Sequence, residues 1–287
     1  MKIFRDIEMN VPRHQRGVAL GTFDGVHLGH QALIAELLKD AKVSGRIPAI
    51  FTFSDHPDLV FRDKDTFQGL IMSVEEKIET FAALGVEEVF LMPLVPELYK
   101  LSAEEFLQDC MLKKLNAGFI AVGEDAKFGS DRGGDAEYLL SWSKKHDVQS
   151  AVIEDIYLAG SKVSSTRIRK FLKQGEVDKA NTLIGRNFGF KVHQAVDSLR
   201  SVYKLDFCGR LSEQDYGQAP RNSDFSAPDG EAYHFSYPDE IVPLPEGKYH
   251  GQVYFQSSEQ LAAPAELKIK KKDQGLIVVA NVSVPCE

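Results

Sequence analysis

A ten-residue segment near the N-terminus constrains this chain more than any other. Residues 21–30 have the sequence Gly-Thr-Phe-Asp-Gly-Val-His-Leu-Gly-His. The apolar residues 17–20 predict a buried strand before it, and apolar positions at helical spacing over residues 32–41 predict a helix after it. A tight loop between a strand and a helix presents backbone N–H groups that bind phosphate, and its glycines let the oxygens come close. His27 and His30 add side-chain donors for a reacting phosphoryl group.

This loop differs from two familiar nucleotide-binding loops. It has neither the Gly-Lys-Ser/Thr of a Walker loop nor the Gly-x-Gly-x-x-Gly of a dinucleotide-binding turn. A nucleotide bound here is therefore expected to be a reactant. We expect Asp24 to orient a histidine or to approach a metal-bound phosphate, and the alternative is an ordinary turn residue.

Length, charge and cysteine content exclude several classes of protein. The 287 residues allow one large or two medium domains. The net charge of −8 argues against general nucleic-acid binding, so a phosphate site must be locally basic. The N-terminus has no apolar secretory core, and no run has transmembrane length, so a cytoplasmic protein is expected. Three widely spaced cysteines indicate neither a disulfide framework nor a zinc site: Cys110, Cys208 and Cys286.

Strand and helix signals alternate up to about residue 184 and predict a parallel α/β sheet. Strands are predicted at residues 47–53, 86–94, 118–123 and 151–157, and helices at 135–146, 165–174, 176–183 and after capping boxes at Ser73 and Ser102. After about residue 185, β-branched and aromatic residues predict a small antiparallel β-barrel. Its strands are predicted at residues 203–207, 248–255, 266–270 and 276–284, with a polar loop at 212–230, a hairpin turn at 273–275 and a lysine-rich strand edge at 268–272.

A second cluster has a composition suited to binding anions. Residues 162–170 have the sequence Lys-Val-Ser-Ser-Thr-Arg-Ile-Arg-Lys, with hydroxyl groups where a helix would begin. Helix-start amides, hydroxyls and cations together make an anion site. In the alternative, Ser164 or Ser165 only caps the helix and the arginines lie on a solvated face. Together with residues 21–30, the cluster is expected to hold one side of a triphosphate.

A third loop, at residues 122–129, follows a predicted buried strand. Ligands of open parallel sheets bind beyond the carboxyl ends of the strands, where this loop and residues 21–30 would meet. Asp125 is a candidate contact for a nucleotide or metal, and Phe128 a candidate for stacking on an aromatic ring. The alternative is an ordinary Gly-Glu-Asp turn.

In these segments the chain resembles the prokaryotic riboflavin kinase/FAD synthetase family, and specifically a monofunctional FAD synthetase. Residues 21–30 reproduce the family's adenylyltransferase loop. Residues 51–57 resemble its Thr-Phe-x-Pro-His-Pro segment, with Asp55 in place of a proline. Residues 123–129 resemble its Gly-Glu-Asn/Asp-Phe-x-Phe-Gly loop, with Ala126 in place of an aromatic residue, and residues 163–169 match its Ser-Ser-Thr-x-x-Arg helix start.

The resemblance implies FMN adenylyltransferase activity, in which ATP and FMN give FAD and pyrophosphate with Mg²⁺. His27 and His30 would be the catalytic residues, stabilising the transferring phosphoryl group and the leaving pyrophosphate. The implied ATP contacts are Gly21, Phe23, Asp24, Gly29, Asp125, Lys162, Ser165, Thr166 and Arg169. The implied flavin contacts are Phe53, His56, Pro57 and Phe128. The metal ligands and the oligomeric state stay open.

The resemblance also implies two domains: a Rossmann-like nucleotidyltransferase domain at residues 1–186 and a riboflavin-kinase-like β-barrel at residues 187–287. The family's Pro-Thr-Ala-Asn segment does not follow residues 183–188, so we expect a barrel without kinase activity. Two alternatives stay open. One is another His-x-Gly-His transferase, such as a cytidylyltransferase, and the other is a non-catalytic flavin-sensing regulatory protein.

Overall fold

The structure, a computed structural model, describes residues 1–6, 11–61, 66–196, 199–210, 233–255, 262–272 and 275–282. The chain forms two compact units. The first comprises Met1–Phe67 and Val74–Val163, and the second comprises Gln68–Ser73 and Ser164–Glu287. Residues 164–186 thus pack with the second unit. The boundary at residue 186 between an adenylyltransferase domain and a barrel domain stays a prediction.

A six-stranded parallel sheet forms the centre of the first unit and confirms the predicted α/β class. The strand order is β1 (Lys2–Phe4), β4 (Glu88–Met92), β3 (Ile47–Phe53), β2 (Arg16–Leu20), β5 (Ala117–Gly123) and β8 (Gln149–Ile153). All neighbouring strands in it are parallel. The central strands β2, β4 and β5 are buried along almost their whole length, as expected for strands covered on both faces.

The longer helices of the first unit lie close to their predicted positions, whereas the two short helices at residues 57–61 and 96–99 were not predicted. They are α1 (Leu28–Ser44), α2 (Pro57–Phe61), α3 (Val74–Leu84), α4 (Pro96–Tyr99), α5 (Ala103–Glu105), which continues as the π-helical segment Phe106–Lys114, and α6 (Ala136–Lys145). The capping box predicted at Ser102 is present, since its hydroxyl accepts from the Glu105 N–H and the Glu105 carboxylate accepts from the Ser102 N–H.

Short ladders connect the longer elements of the first unit. β6 (Lys127–Phe128) pairs with β7 (Gly134–Asp135), and β9 (Tyr157–Leu158) pairs with β10 (Ser161–Lys162). The strand predicted at residues 151–157 is therefore wrong in its extent. β8 ends at Ile153, and β9 begins a separate hairpin.

The order of the strands marks one point along the carboxyl edge of the sheet. β2 pairs with β3 on one side and with β5 on the other, so the chain builds outward from β2 in both directions. This is the topological switch point at which doubly wound sheets bind ligands. The loops that follow β2 and β5 flank this point, as the sequence predicted.

A buried ion pair joins the amino-terminal ends of β2 and β4. Arg16 and Glu88 are both buried, and the Arg16 Nε lies 2.6 Å from Glu88 Oε2. The other nitrogens of the guanidinium donate to the carbonyl oxygens of Pro12, His14 and Leu115. The charge of Arg16 is thus compensated on several sides, as a buried cation requires.

The second unit contains α7 (Ser165–Lys173), α8 (Val177–Ile184) and an antiparallel six-stranded sheet. The strand order is β11 (Phe188–Val196), β12 (Leu199–Arg210), β14 (Gly247–Phe255), β15 (Ala262–Lys272), β16 (Gly275–Val282) and β13 (Tyr233–Ser236). The edge strands β11 and β13 also contact one another, so the sheet is a nearly closed barrel. The predicted barrel is confirmed, although β11 and β13 were not predicted.

Strand pairing along β15 corrects part of one expectation. Lys268 pairs with both β14 and β16 and is not at an edge, whereas Lys270, Lys271 and Lys272 pair with β16 alone. Lys268 and Lys270 instead alternate with the buried Leu267 and Ile269. The predicted loop at 212–230, residues 273–274 of the predicted turn and Cys286 lie outside the described residues.

Across the part of the chain that the structure describes, no helix combines the length and the apolar character needed to span a bilayer.

Candidate active site

The loop after β2 has an unusual backbone that tertiary packing maintains. Phe23 and Val26 have positive φ angles of 52° and 37°, which are costly for bulky and β-branched residues. Both side chains are fully buried, and the Phe23 ring packs edge-on against Phe81 of α3 at 5.4 Å. Gly21 lies under this ring, since a Cβ there would be 3.1 Å from it. Close packing around Phe23 therefore shapes the loop.

His27 and His30 form a stacked pair at the start of α1. Their ring centroids lie 3.7 Å apart at an angle of 12°. His27 also caps the helix, because its Nδ1 accepts from the His30 backbone N–H at 3.4 Å. A neutral His27 therefore carries its proton on Nε2. Gly29 permits this arrangement, since a Cβ there would lie 3.2 Å from His27 Cε1.

His30 is held in an environment that disfavours its charged form. Burial lowers its pKa well below the usual value near 6.5, and the charges of His27 and Lys77 lower it further. The buried Nδ1 of His30 makes no hydrogen bond with the described residues. At neutral pH His30 is thus an uncharged imidazole that can donate or accept a hydrogen bond.

Lys77 of α3 is a buried residue of this site that sequence reasoning missed. Its side chain is 8% exposed, and Nζ donates to the carbonyl oxygens of Thr22 at 3.2 Å and Phe53 at 3.1 Å. Burial lowers the pKa of Lys77 to about 8, while the charge of the buried Asp24 acts in the opposite direction. One sequence signal could have revealed the burial of Lys77. This lysine lies four residues before Phe81, on the buried face of an amphipathic helix.

The predicted flavin segment follows β3 at the same edge of the sheet. Phe53 ends β3, Pro57 begins α2, and His56 Nδ1 accepts from the Asp58 N–H at 3.2 Å. Sequence reasoning missed two further aromatic residues here. Phe61 at the end of α2 is 56% exposed, and its ring meets Tyr99 of α4 edge-on at 5.1 Å. These two rings form an accessible aromatic surface beyond β3 and β4.

The loop after β5 brings two predicted ATP contacts together. Lys162 Nζ lies 2.5 Å from Asp125 Oδ2 and 2.7 Å from Asp155 Oδ2, and Asp125 is otherwise exposed. The Phe128 ring packs against Phe106 at 6.0 Å and Tyr138 at 6.3 Å. Phe128 is thus half-buried within the first unit, and Asp125 is the more accessible group of this loop.

The start of α7, in the second unit, matches the predicted helix start. Ser164 is the N-cap, since its hydroxyl accepts from the Arg167 N–H, and Ser165 and Thr166 are the first helical residues. Arg169 is buried, and its Nε donates to the Gly69 carbonyl at 2.7 Å. The role of Ser165, Thr166 and Arg169 as phosphate contacts stays a prediction.

Comparison with known proteins identifies the family. The sequence model of the FAD synthetase family matches residues 11–167, more than half of the chain. The chain belongs to the FAD synthetase family. The matched range contains both histidines, the flavin segment and the loop after β5. The predicted family resemblance is therefore confirmed.

Individual relatives of this chain have names that state FMN adenylyltransferase or FAD synthetase. A bifunctional riboflavin kinase/FMN adenylyltransferase of Buchnera aphidicola subsp. Schizaphis graminum is 30% identical over 190 residues, which is 66% of this chain and 61% of that protein. A FAD synthetase of Listeria monocytogenes is 30% identical over 168 residues, 58% of this chain and 68% of that protein. The match thus covers about three-fifths of the bifunctional relative's length.

A solved structure shares the fold of the whole chain. The crystal structure of a protein named macrolide-efflux protein, from Streptococcus pneumoniae, aligns with a TM-score of 0.75 and covers 100% of this chain and 84% of that chain. Because the two sequences are 22% identical, this likeness shows the fold alone.

Proposed function

We propose that this chain is an FMN adenylyltransferase, which transfers AMP from ATP to FMN and gives FAD and pyrophosphate. The observation that carries the proposal is the stacked pair His27 and His30 at the start of α1, at the switch point of the sheet. Family membership supports it, as do relatives whose names state FMN adenylyltransferase or FAD synthetase.

The chemistry of this reaction suits the residues of the loop. An oxygen of the FMN phosphate attacks the α-phosphorus of ATP, and the bond from that phosphorus to pyrophosphate breaks. Both reactants are anions, so catalysis depends mainly on positioning and charge stabilisation. In this proposal the helix-start amides, the Nε2–H of His27 and the neutral His30 donate to the transferring phosphoryl group and the leaving pyrophosphate.

We propose that Mg²⁺ arrives with ATP. Within the described residues, no group of three or more histidine, cysteine, aspartate or glutamate side chains could hold an ion. Phosphate oxygens would therefore supply much of its coordination, with Asp24 and Asp125 as the fitting carboxylates of the two switch-point loops. When bound, Mg²⁺ would neutralise charge on the triphosphate.

The flavin is proposed to lie beyond β3, against Phe53, His56, Pro57 and Phe128. The exposed ring of Phe61 and the half-buried ring of Tyr99 extend this set, because an isoalloxazine ring requires a flat aromatic surface. The proposed flavin and nucleotide contacts of the first unit therefore share one edge of the sheet.

The remaining assignments also stay proposals. Lys162, Ser165, Thr166 and Arg169 would contact the phosphates, and Gly21, Phe23 and Gly29 would shape the ATP loop. The adenylyltransferase domain would comprise residues 1–186. The barrel at residues 187–287 would be a structural or regulatory domain without kinase activity, since it lacks the Pro-Thr-Ala-Asn segment. The few cysteines and the net charge of −8 support a cytoplasmic enzyme that does not bind nucleic acid.

A flavin assay tests this function directly. The protein is incubated with Mg-ATP and either FMN or riboflavin, and the flavins are separated by chromatography. We expect FAD from FMN and no FMN from riboflavin. Absence of FAD would refute the adenylyltransferase assignment, and FMN made from riboflavin would refute the inactive barrel. CTP in place of ATP tests the cytidylyltransferase alternative.

A matched pair of histidine variants tests the site. His30→Gln should lower turnover about 10²-fold, because a phosphoryl contact is lost. His14→Gln changes an exposed histidine outside the loop and should leave turnover unchanged. Equal turnover of the two variants would contradict the role of His30.

A further inference from the structure

Lys77 is a buried cation to which the proposed chemistry assigns no role. Lysine is among the residues least often buried, because removing an ammonium group from water is costly. The ammonium of Lys77 nevertheless lies beneath the carboxyl edge of the sheet. It donates to the carbonyl of Thr22, just after β2, and to the carbonyl of Phe53, at the end of β3.

We propose that Lys77 is a positioning residue of the active site: its ammonium fixes the Thr22 and Phe53 carbonyls and places a positive charge near His30. The inference rests on the proposed function for its kinetic consequence. Its structural and electrostatic consequences can be measured on the protein without substrates.

The hydrogen bonds explain how Lys77 would fix the histidine loop. The Thr22 carbonyl accepts from Lys77 Nζ and also from the Thr52 hydroxyl at 3.1 Å. Each lone pair of the Thr22 carbonyl oxygen thus accepts one hydrogen bond, and the two bonds fix the orientation of the peptide group before Phe23. Phe23 has the positive φ of 52° with which the loop turns toward His27. Lys77 therefore supports the turn at one of its strained residues.

The same ammonium links the two halves of the proposed reaction. Thr22 belongs to the loop that would bind ATP, and Phe53 belongs to the segment that would bind the flavin. A tetrahedral ammonium with three donors can hold two carbonyls, one from the loop after β2 and one from the end of β3, at a fixed separation. A hydrophobic residue of the same length could fill the space but could not make these bonds.

The charge of Lys77 acts on the histidines as well. Among the described residues, His27 and Lys77 are the charged or titratable groups that act on His30, and the charges of both lower its pKa. The buried carboxylate of Asp24 partly compensates the ammonium. Lys77 thus favours the neutral imidazole that the proposed mechanism uses.

Two variants of Lys77 and one control test the inference. Lys77→Met keeps the length of the side chain but removes the charge and the donors, and Lys77→Gln keeps the two N–H donors of an amide group without the charge. Lys39→Met is the matched control, because Lys39 lies on the same helix as His30 and its side chain is 71% exposed.

The first measurement is an NMR titration of histidine-labelled protein without substrates, with the His30 signal assigned through His30→Gln. We expect the pKa of His30 to rise in both Lys77 variants and to stay unchanged in Lys39→Met. An unchanged pKa in a folded Lys77 variant would overturn the inference. If Lys77→Met does not fold, the pKa of His30 in Lys77→Gln is compared with that in Lys39→Met instead.

The second measurement is FAD formation. Lys77→Met should lower kcat about tenfold or more while the KM for ATP changes little, because geometry rather than binding is lost. Lys77→Gln should recover part of kcat through its amide N–H donors. A rise in KM with kcat unchanged, or a kcat equal to that of the unaltered protein in both variants, would overturn the inference. If the unaltered protein makes no FAD, the proposed function fails, whereas the NMR titration still tests Lys77.

Discussion

Replacing Gly29 with alanine should lower turnover without lowering the stability of the protein. Gly29 lies in the first turn of α1, where alanine is favoured over glycine by up to about 1 kcal/mol. The new Cβ, however, would lie 3.2 Å from His27 Cε1 and 3.3 Å from His27 Nδ1. Ordinary carbon contacts begin at about 3.5 Å, so the His27 ring must shift by about 0.3 Å.

This shift has a kinetic cost that can be worked out. His27 stacks on His30 and caps α1, so its ring cannot move without altering one of these contacts. A misplacement of about 1 Å costs about 10²-fold in rate, so about 0.3 Å predicts a fall in kcat of about fourfold. The free energy of unfolding should stay equal or rise by up to about 1 kcal/mol.

Two assays and one control separate these effects. Turnover is measured as FAD formed at saturating ATP and FMN. Stability is measured by urea unfolding followed through Trp142, the single tryptophan, which is buried in the core of the first unit. Val43→Ala is the control, because Val43 is 84% exposed on the same helix and alanine is the better helix former. It should raise stability and leave kcat unchanged.

The reasoning fails if Gly29→Ala retains full turnover, because the contact with His27 would then not position the ring. It also fails if stability falls together with turnover, since the glycine would then serve folding rather than catalysis.

Two further predictions concern buried charges. Arg16→Met leaves Glu88 buried without its partner and should lower the free energy of unfolding by about 3–5 kcal/mol. The measurement is urea unfolding followed through Trp142. If the double variant Arg16→Met/Glu88→Met is equally unstable, the ion-pair argument is wrong. Burial raises the pKa of Asp206 in the barrel, although Lys204 opposes this, so the folded state binds more protons than the unfolded state between pH 3.8 and the raised value. Its contribution to stability therefore falls as pH rises through that window. Asp206→Asn should flatten this dependence and raise the melting temperature near pH 7, and identical slopes of melting temperature against pH would contradict the reasoning.

Much of the fold was predictable because its signals are local. A buried apolar run predicted β2, helical spacing predicted α1, and a Ser-x-x-Glu pattern predicted the capping box at Ser102. Each of these signals lies within a few residues of the element that it specifies.

The unpredicted strand β11 shows where local signals fail. Gly189 interrupts its pattern of β-formers, and the reason lies in the partner strand. A Cβ at Gly189 would overlap the Leu205 carbonyl and the Asp206 carboxylate, and Asp206 is its partner in the ladder. A close approach between strands thus requires the glycine that obscures the strand in the sequence.

The sequence by itself determined the histidine loop, the family and the class of both folded parts, because each depends on residues that are neighbours along the chain. Only the tertiary structure decided that Lys77 lies beneath Thr22 and Phe53, and that Phe61 meets Tyr99. These residues are separated by 24 to 55 positions and carry no shared motif. The order of the parallel strands and the packing of α3 bring them together, and no periodicity of a single helix or strand encodes that order.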